Sequence, residues 1–289
     1  MDFSGKAPLD FARGRLFDYA AAALLASVLP WKTGGWGSLF ATAVKLSSNK
    51  LRRAARAIFS CLSSSCYHPD VAARGKFITF EGLDGSGKST QIEKLARALR
   101  SHGVPVAVTR EPGGTLTGER IREVLLHSTT SGLSPLAEMA LMFASRAQHI
   151  HEVILPALAD GRVVLCDRFT DSTEAYQGAG RKLGTKPVLA LHEILCGGLQ
   201  PELTILLDNE VAFSVERARR RNRKHKNVRP DKDENRFEQE SRTFFGRVRH
   251  AYLAIATREP QRVHVINARG TPQETHALIR ELVRKKLKI

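Results

Sequence analysis

The stretch GLDGSGKS at residues 82–89 constrains the fold of this chain more than any other. It fits the pattern G-x-x-x-x-G-K-[ST], whose glycines let backbone N–H groups turn inward around phosphate oxygens. It follows the apolar run KFITF (76–80), which reads as a strand, and it opens a segment with helical spacing at Ile92, Leu95 and Leu99. Because a helix N-terminus adds a partial positive charge, this order of strand, loop and helix predicts a site for nucleotide phosphates.

Strand-like and helix-like segments alternate from about residue 75 onward. Four further apolar runs read as strands: VPVAVT (104–109), VVLCD (163–167), LTILLD (203–208) and VHVI (263–266). Helical periodicity is clearest at 136–157, at 238–257 and in the basic C-terminal segment. Five strands that alternate with helices predict an α/β fold of the P-loop NTPase type, a parallel five-stranded sheet with helices on both faces.

Residues 1–74 lack this regular alternation, so we expect them to form a poorly defined, dispensable N-terminal extension, with the catalytic domain at 75–289. Disordered sequence, a targeting segment, a membrane-surface attachment and sequence upstream of the true start remain open alternatives. The longest apolar run, YAAAALLASVLPW (19–31), is too short to span a bilayer, and acidic residues precede it. Cys61, Cys66, Cys166 and Cys196 show no zinc-like spacing, which favours free thiols in a reducing, cytoplasmic compartment.

Positive charge is concentrated in one segment. The formal net charge is +16, and the segment 217–236 holds ten Lys or Arg against three acids, a local excess of +7. Arginine attracts the phosphates of a duplex and of a mononucleotide for the same reason, so charge alone does not choose between them. Nucleic-acid binding predicts several basic or aromatic stripes, whereas this chain has one cluster of about the size of a lid.

Three further stretches carry polar side chains to the expected ligand-binding edge of the sheet. TREPGGT (109–115) brings Arg110 to the end of the second strand, and CDRFTDSTEAYQGAGR (166–181) brings Asp167 and Arg168 to the end of the third. Asp167 suits a magnesium-bound water, and Arg168 suits transferring phosphates. On the long helix, MFASRAQH (142–149) sets an Arg fork beside Met142 or Phe143, which suits a planar base with a carbonyl edge. His149 and His151 are interpreted as structural or surface residues.

Together these stretches resemble the thymidylate kinase family of bacterial type, whose fold is that of the nucleoside monophosphate kinases. The resemblance is carried in family order by FEGLDGSGKST, TREPGGT, RAQH, DRFTDSTEAYQG and NRFEQE with FFGRVRHAYL, over about residues 76–289. It implies an enzyme that transfers the γ-phosphoryl group of ATP to dTMP with Mg²⁺. It also implies a homodimer, and no nucleic acid or transmembrane segment is expected.

The resemblance also implies roles for individual residues. The ATP cradle comprises Gly82, Leu83, Asp84, Gly85, Ser86, Gly87, Lys88, Ser89 and Thr90, with Ser89 and Asp167 at the metal. The expected dTMP contacts are Asp84 on the 3′-hydroxyl, Arg110 and Arg168 on the phosphate, Arg146 with Met142 or Phe143 on the base, and Tyr176 and Gln177 beside the sugar. Lys88, Asp167 and Arg168 are the catalytic candidates of the core.

The cradle holds Gly85 and Ser86 where some relatives carry a catalytic arginine, so we expect a lid at about 217–236 to supply that cation. The candidates are Arg219, Arg221 and Arg223, which the sequence does not rank. The lid departs from the family pattern, with Asn235 in place of the usual Asp. Two alternatives stay open at this stage: a kinase for another nucleoside monophosphate, and a nucleic-acid-binding ATPase.

Overall fold

The computed structural model of the chain describes residues 75–127, 130, 132–228 and 236–288, with only the backbone of 221–228 and 238. The expectations for residues 1–74 and for Asn235 therefore lie outside the described residues. No helix in the described part of the chain is long and apolar enough to cross a membrane.

Five parallel strands form a single sheet. In chain order they are β1 (Phe77–Glu81), β2 (Val106–Arg110), β3 (Val163–Asp167), β4 (Leu203–Asp208) and β5 (Val263–Asn267). Their spatial order is β2-β3-β1-β4-β5, which puts the strand before the glycine-rich loop at the centre. The predicted fold class is confirmed, and the five strands lie within two residues of the expected bounds. The central strands β1, β3 and β4 are buried on both faces, as continuous apolar runs predict, whereas the edge strands β2 and β5 are partly exposed.

Nine α-helices surround the sheet in the described part of the chain. They are α1 (Lys88–Ser101), α2 (Leu116–Leu126), α3 (Pro135–His149), α4 (Leu155–Ala159), α5 (Thr170–Thr173), α6 (Thr185–Cys196), α7 (Val211–Val228), α8 (Arg242–Arg258) and α9 (Pro272–Leu287). Segments of π-helix at Ile150–Ile154 and Glu174–Gly180 continue α3 and α5, and a 3₁₀ turn at Phe237–Gln239 precedes α8. The predicted helix 136–157 is thus interrupted, because Pro156 has no N–H to donate to the carbonyl of Glu152.

Side chains of β1 alternate between the two faces of the sheet. Ile78 and Phe80 belong to a cluster that includes residues of α1 and α9, whereas Phe77 packs with residues of α3 and α6 on the other face. A third cluster joins the π-helical segment after α5 to α8 and includes Tyr176 and Tyr252. Both faces are therefore covered, and polar groups at the carboxyl ends of the strands gather at one edge.

Candidate active site

The loop from β1 to α1 requires glycine at two positions for reasons of space as well as conformation. Gly82 and Gly85 have φ of 127° and 82°, in the region that side chains disfavour. A Cβ atom at Gly82 would lie 2.4 Å from the Leu207 carbonyl oxygen, and one at Gly85 would lie 2.2 Å from the Ser214 carbonyl oxygen. The loop is thus clamped between β4 and α7.

The rest of the loop turns its polar groups toward the space that the glycines leave. The Ser86 N–H donates to the Leu83 carbonyl at 3.2 Å, and Leu83 itself is buried against the cluster of Tyr176. The Ser86 hydroxyl is buried and has no protein partner among the described residues. Gly87 has a φ of 105° at the start of α1, while Thr90 is exposed on that helix. A buried hydroxyl that lacks a partner in the described chain, on a glycine-rich loop at a helix N-terminus, suits an anionic oxygen.

Lys88 folds back over this loop. Its ammonium group donates hydrogen bonds of 3.0 Å to the Gly82 and Leu83 carbonyl oxygens. Burial, followed by the repulsion of Arg168, lowers the pKa of Lys88 to about 8. An anion at the loop favours the charged form of this group, so phosphate binding and protonation of Lys88 support each other.

Ser89 and Asp167 meet across the start of α1 and the end of β3. The Ser89 hydroxyl donates to Asp167 Oδ2 at 3.2 Å. Asp167 Oδ1 is buried and has no hydrogen-bond partner in the described part of the chain. A hydroxyl and a carboxylate are hard oxygen donors, and an unpartnered carboxylate oxygen fits a Mg²⁺ ion or one of its waters.

Arg168 follows Asp167 and has a φ of 71°, which is uncommon for a residue other than glycine. Its Nη2 donates to Asp84 Oδ1 at 2.7 Å and to the Tyr176 hydroxyl at 3.3 Å, and Tyr176 also donates to Asp84 Oδ2 at 3.3 Å. Its Nη1 donates to two further hydroxyls, those of Ser172 and Tyr252. Asp84 and the surrounding hydroxyls hold the pKa of Arg168 well above its usual value despite burial.

Arg110 lies beside this group at the end of β2, in register with Asp167. Its Nη2 pairs with Glu119 Oε2 at 2.7 Å, and about half of the Arg110 side chain is exposed. It is therefore a second cation at the same edge, one that can turn toward a ligand from its exchangeable pairing with Glu119.

Arg146 is nearly buried on α3 and is held on three sides. Its Nε donates to Glu111 Oε2 at 2.7 Å, and its Nη2 donates to the Phe169 carbonyl at 3.1 Å and to Thr173 Oγ1 at 2.9 Å. Its Nη1 is buried and has no partner among the described residues. Because a buried N–H without an acceptor is costly, the orientation of this fork fits a carbonyl oxygen supplied by a ligand.

Phe143 and Met142, the two apolar candidates beside Arg146, pack in different parts of the structure. Phe143 is fully buried and belongs to the cluster below α3, with its ring 5.0 Å from the Arg146 guanidinium carbon. Met142 is half-buried and packs against the cluster that includes Tyr176. Phe143 therefore supports the arginine from the core side, and Met142 is the apolar group on the side of the predicted sugar contact.

Gln177 is buried and donates from Nε2 to Glu138 Oε1 at 2.8 Å. Glu138, also fully buried, pairs with Arg181 and with Arg236, which begins the described chain after residue 235. Gln177 thus links the π-helical segment to α3 behind the predicted sugar contacts.

The basic run begins on a regular helix. The α7 backbone stays helical through Val228, and Arg219 is exposed on it. The side chains of Arg221 and Arg223 lie outside the described residues. The structure therefore brings the predicted core residues to one edge, whereas it locates only the backbone of these two lid candidates.

Sequence reasoning did not single out three groups that organise the site. Glu81, Glu111 and Tyr252 are buried polar residues with at least two hydrogen bonds each. Glu81 is detectable in retrospect, since it is an acid at the end of an otherwise apolar strand. His149, interpreted as structural, is buried and contacts Glu111 and Thr109.

Comparisons with known proteins agree with the motif order. The family model for thymidylate kinase matches residues 80–279. The chain is 45% identical over 214 residues to the thymidylate kinase of Pelobacter propionicus, covering 74% of this chain and 96% of the relative. It is 50% identical over 198 residues to that of Desulfovibrio desulfuricans, covering 68% and 90% of the two chains. The crystal structure of thymidylate kinase from Ehrlichia chaffeensis superposes with a TM-score of 0.58 at 31% identity, covering 73% of this chain and 99% of that chain.

Proposed function

The chain belongs to the thymidylate kinase family, and from that premise we propose how its side chains divide the work of phosphorylating dTMP. As a member of this family it is an enzyme, a kinase that converts dTMP to dTDP with a nucleotide as phosphoryl donor. The observation that carries the proposal is a pair of hydrogen bonds at one edge of the sheet. Ser89 is hydrogen-bonded to Asp167, and Arg168 is hydrogen-bonded to Asp84.

The donor is proposed to be ATP, with its phosphates in the loop 82–90. Lys88 would release the two loop carbonyls that it now contacts and bind β- and γ-phosphate oxygens. Ser89 and Asp167 would hold Mg²⁺, which when bound neutralises charge on the transferring phosphates. Two features support this assignment: within the described residues, neither Asp167 Oδ1 nor the Ser86 hydroxyl has a hydrogen-bond partner.

The dTMP phosphate is proposed to lie between Arg110 and Arg168. A phosphate oxygen of dTMP forms the new bond to the γ-phosphorus while the bond to the β–γ bridging oxygen breaks, and the leaving ADP keeps that electron pair. Several negative charges converge in this step, so the two arginines and Lys88 act by positioning and by neutralising charge. Contacts on both terminal nitrogens fix the position of the Arg168 guanidinium, and a phosphate oxygen would bind its Nε–H or replace one of the present acceptors.

The nucleoside is proposed to fill the space between α3 and the π-helical segment after α5. Arg146 Nη1 would donate to a thymine carbonyl, with Met142 against the ring. Asp84 would accept from the 3′-hydroxyl, while Tyr176 and Gln177 would line the sugar side. Tyr176 is buried with its hydroxyl on Asp84 and Arg168, which leaves little room for a 2′-hydroxyl.

Among the three lid candidates, the helical register favours Arg221 as the catalytic arginine. The face of α7 against Gly85 includes Ser214, Arg217 and Ala218. At about 100° per residue, position 221 returns to within about 20° of Ser214, whereas positions 219 and 223 lie on other sides of the helix. A cation at that position can approach the γ-phosphate and neutralise charge in the transition state.

Two broader expectations are also proposals. Cys166 and Cys196 are free and buried, which fits a reducing compartment such as the cytoplasm. A homodimer is supported by exposed apolar side chains on helices α2, α3 and α6, among them Leu116, Leu136 and Ile194. Light scattering on the purified full chain tests the dimer, because a monomeric mass at micromolar concentration would contradict it.

The test of the function is ADP formation from ATP and Mg²⁺ with dTMP, dUMP, dCMP and dAMP offered separately. We expect turnover to be fastest with dTMP and to fall on the order of 100-fold or more in Lys88→Ala and Arg168→Ala. The exposed Lys186→Ala, on α6, is the matched control and should keep wild-type turnover. Absence of turnover with dTMP, or wild-type rates in both core variants, would contradict the proposal.

A further inference from the structure

Glu81, the last residue of β1, is fully buried yet has no role in the reaction described above. Its Oε1 accepts the Phe169 backbone N–H at 2.8 Å. Its Oε2 accepts the hydroxyls of Ser172 at 2.5 Å and Tyr252 at 2.9 Å. Both carboxylate oxygens are therefore used as acceptors, and three donors from two separate segments of the chain converge on one side chain.

The same two hydroxyls contact the phosphate-clamping arginine. Arg168 Nη1 donates to Ser172 Oγ and to Tyr252 Oη, each at 3.1 Å. Its other terminal nitrogen is held by Asp84 and Tyr176. Glu81 is thus connected to Arg168 by two routes. One is its hydrogen bond to the backbone of Phe169, the residue that follows Arg168. The other is through the Ser172 and Tyr252 hydroxyls, which accept from Arg168 Nη1.

Counting protons shows what the charge on Glu81 contributes. Each hydroxyl has one proton to donate and lone pairs with which to accept. With Glu81 ionised, Oε2 accepts the protons of Ser172 and Tyr252, and the lone pairs of both hydroxyls are available to Arg168. A neutral group at position 81 donates a proton to one hydroxyl, whose own proton then turns toward Arg168 or toward the other hydroxyl, 2.8 Å away. In either case the hydroxyl lone pairs have a competing donor or lose the support of the negative charge, so Arg168 is bound less strongly.

We propose that Glu81 is a positioning residue for the phosphate clamp: it orients the Ser172 and Tyr252 hydroxyls as acceptors and so holds the Arg168 fork toward the dTMP phosphate. This inference rests on the proposed function, since it assigns Arg168 to that phosphate.

The surroundings of Glu81 make its charge sensitive to pH near neutrality. Burial, and next the charge of Asp171, raise the pKa of Glu81 to about 7, against the opposing effects of Arg168 and the two hydroxyls. Lys88 from α1, Cys166 from β3 and Tyr252 from α8 interact with the same carboxylate. Below pH 7 the negative charge that supports the two hydroxyls as acceptors is therefore lost in a growing fraction of molecules.

The experiment compares binding of dTMP with binding of thymidine, which lacks the phosphate, by calorimetry on the full chain. The variants are Glu81→Gln, Arg168→Ala and the double variant. Gln conserves shape but has only one acceptor oxygen, so it cannot accept from both Phe169 N–H and the hydroxyls. We expect Glu81→Gln to weaken dTMP binding about 10-fold to 100-fold and thymidine binding by less than about 2-fold.

Dependence on Arg168 separates this role from a general structural one. In the Arg168→Ala background, Glu81→Gln should weaken dTMP binding by less than about 2-fold further, since no fork remains to be positioned. Between pH 8 and 6 the ratio of dTMP to thymidine affinity should fall more in the wild type than in Glu81→Gln, because the substrate's own titration is common to both.

If Glu81→Gln does not fold, Tyr252→Phe carries the test. It keeps the ring and removes one acceptor from Arg168, so dTMP affinity should fall about 3-fold to 10-fold at unchanged thymidine affinity. Three results would overturn this inference and leave the proposed function standing. The first is wild-type dTMP affinity in the folded Glu81→Gln or Tyr252→Phe variant, and the second is an equal loss of affinity for dTMP and thymidine. The third is an undiminished effect of Glu81→Gln in the Arg168→Ala background. Wild-type dTMP affinity in Arg168→Ala would instead overturn the proposed clamp and this inference with it.

Discussion

Gly85 packs so closely on Ser214 that a methyl group added to Gly85 would lie 2.2 Å from the Ser214 carbonyl oxygen. This contact joins the phosphate loop to α7, the helix from which the basic run extends. The first turn of α7 is thereby held against the glycine-rich loop, and the Ser214 backbone excludes a side chain at position 85.

Gly85→Ala should therefore be more harmful than the strain at a positive φ explains. Gly197 is the control for backbone strain alone, because its φ of 59° and ψ of 26° lie in the left-handed region and a Cβ there would meet nothing within 4 Å. We expect Gly197→Ala to cost about 1–2 kcal/mol of unfolding free energy, and Gly85→Ala to cost more and also raise the KM for ATP. Chemical denaturation and initial rates measure both, and equal losses in the two variants would contradict the packing argument.

The register of α7 predicts which lid arginine acts in catalysis. Arg221→Ala should lower kcat on the order of 1000-fold with a small change in KM for dTMP, as loss of an arginine finger does. Arg223→Ala, two positions further along the same helix, should stay within about 3-fold of wild type, because position 223 lies about 180° around the helix from Ser214. Steady-state rates at saturating ATP decide between them, and a larger loss in Arg223→Ala would reverse the assignment.

Arg146 should contribute to dTMP binding through its geometry as well as its charge. Arg146→Lys keeps one positive charge but loses the planar fork, so we expect the KM for dTMP to rise at least about 10-fold. Arg262→Lys is the control, because Arg262 is also a mostly buried arginine that pairs with two carboxylates, Asp171 and Glu259. If both variants raise KM equally, the effect reflects lost stability and not a contact with the base.

The ionisation of Glu111 is expected to make the folded state less stable in acid. Burial opposes its ionisation, but the charge of Arg146 and the hydrogen bond from His149 outweigh burial and hold the pKa of Glu111 below its ordinary value of 4.5. The resulting stabilisation is present above pH 4.5 and is lost as the pH falls through the lowered pKa.

The variant Glu111→Gln tests this direction of the pH dependence of stability. At neutral pH we expect the variant to be less stable by about 3 kcal/mol, because Arg146 loses its buried partner charge. Below pH 4.5 the difference should narrow as the wild-type carboxylate is protonated. Thermal unfolding from pH 7 to pH 3 records the trend, and a difference that widens in acid would contradict the sign.

Much of the fold was predictable because its signals are local. Continuous apolar runs marked β3 and β4 at their observed bounds, and the glycine spacing at 82–89 marked the loop at the end of β1. The long helix was predicted at 136–157, and the chain is helical from Pro135 to Ala159. The π-helical segment within it was missed, because the missing N–H of Pro156 alters the backbone hydrogen bonding without altering the apolar period. The expectation for Ser89 came from the glycine-rich motif, and those for Asp167 and Arg168 came from their place at the end of the third strand, which parallel topology brings to the same edge.

The choice between Met142 and Phe143 required the tertiary structure. Both are apolar neighbours on one helix, and only the elements packed on each side decide that Phe143 enters the core and Met142 remains half-buried. The tertiary structure was needed even more for the hydrogen-bond network that joins Glu81, Ser172 and Tyr252 to Arg168. Glu81 and Tyr252 are 171 residues apart, so no local sequence pattern connects them.

The sequence by itself determined the order of strands and helices and the chemical types of group at the carboxyl edge, because periodicity and motif spacing act within short segments. Only the tertiary structure decided which hydroxyls face Arg168, which nitrogen of Arg146 lacks a partner, and which face of α7 lies on Gly85. Hydrogen bonds depend on distances of a few tenths of an ångström, and those distances are set by packing between segments that are remote in the chain.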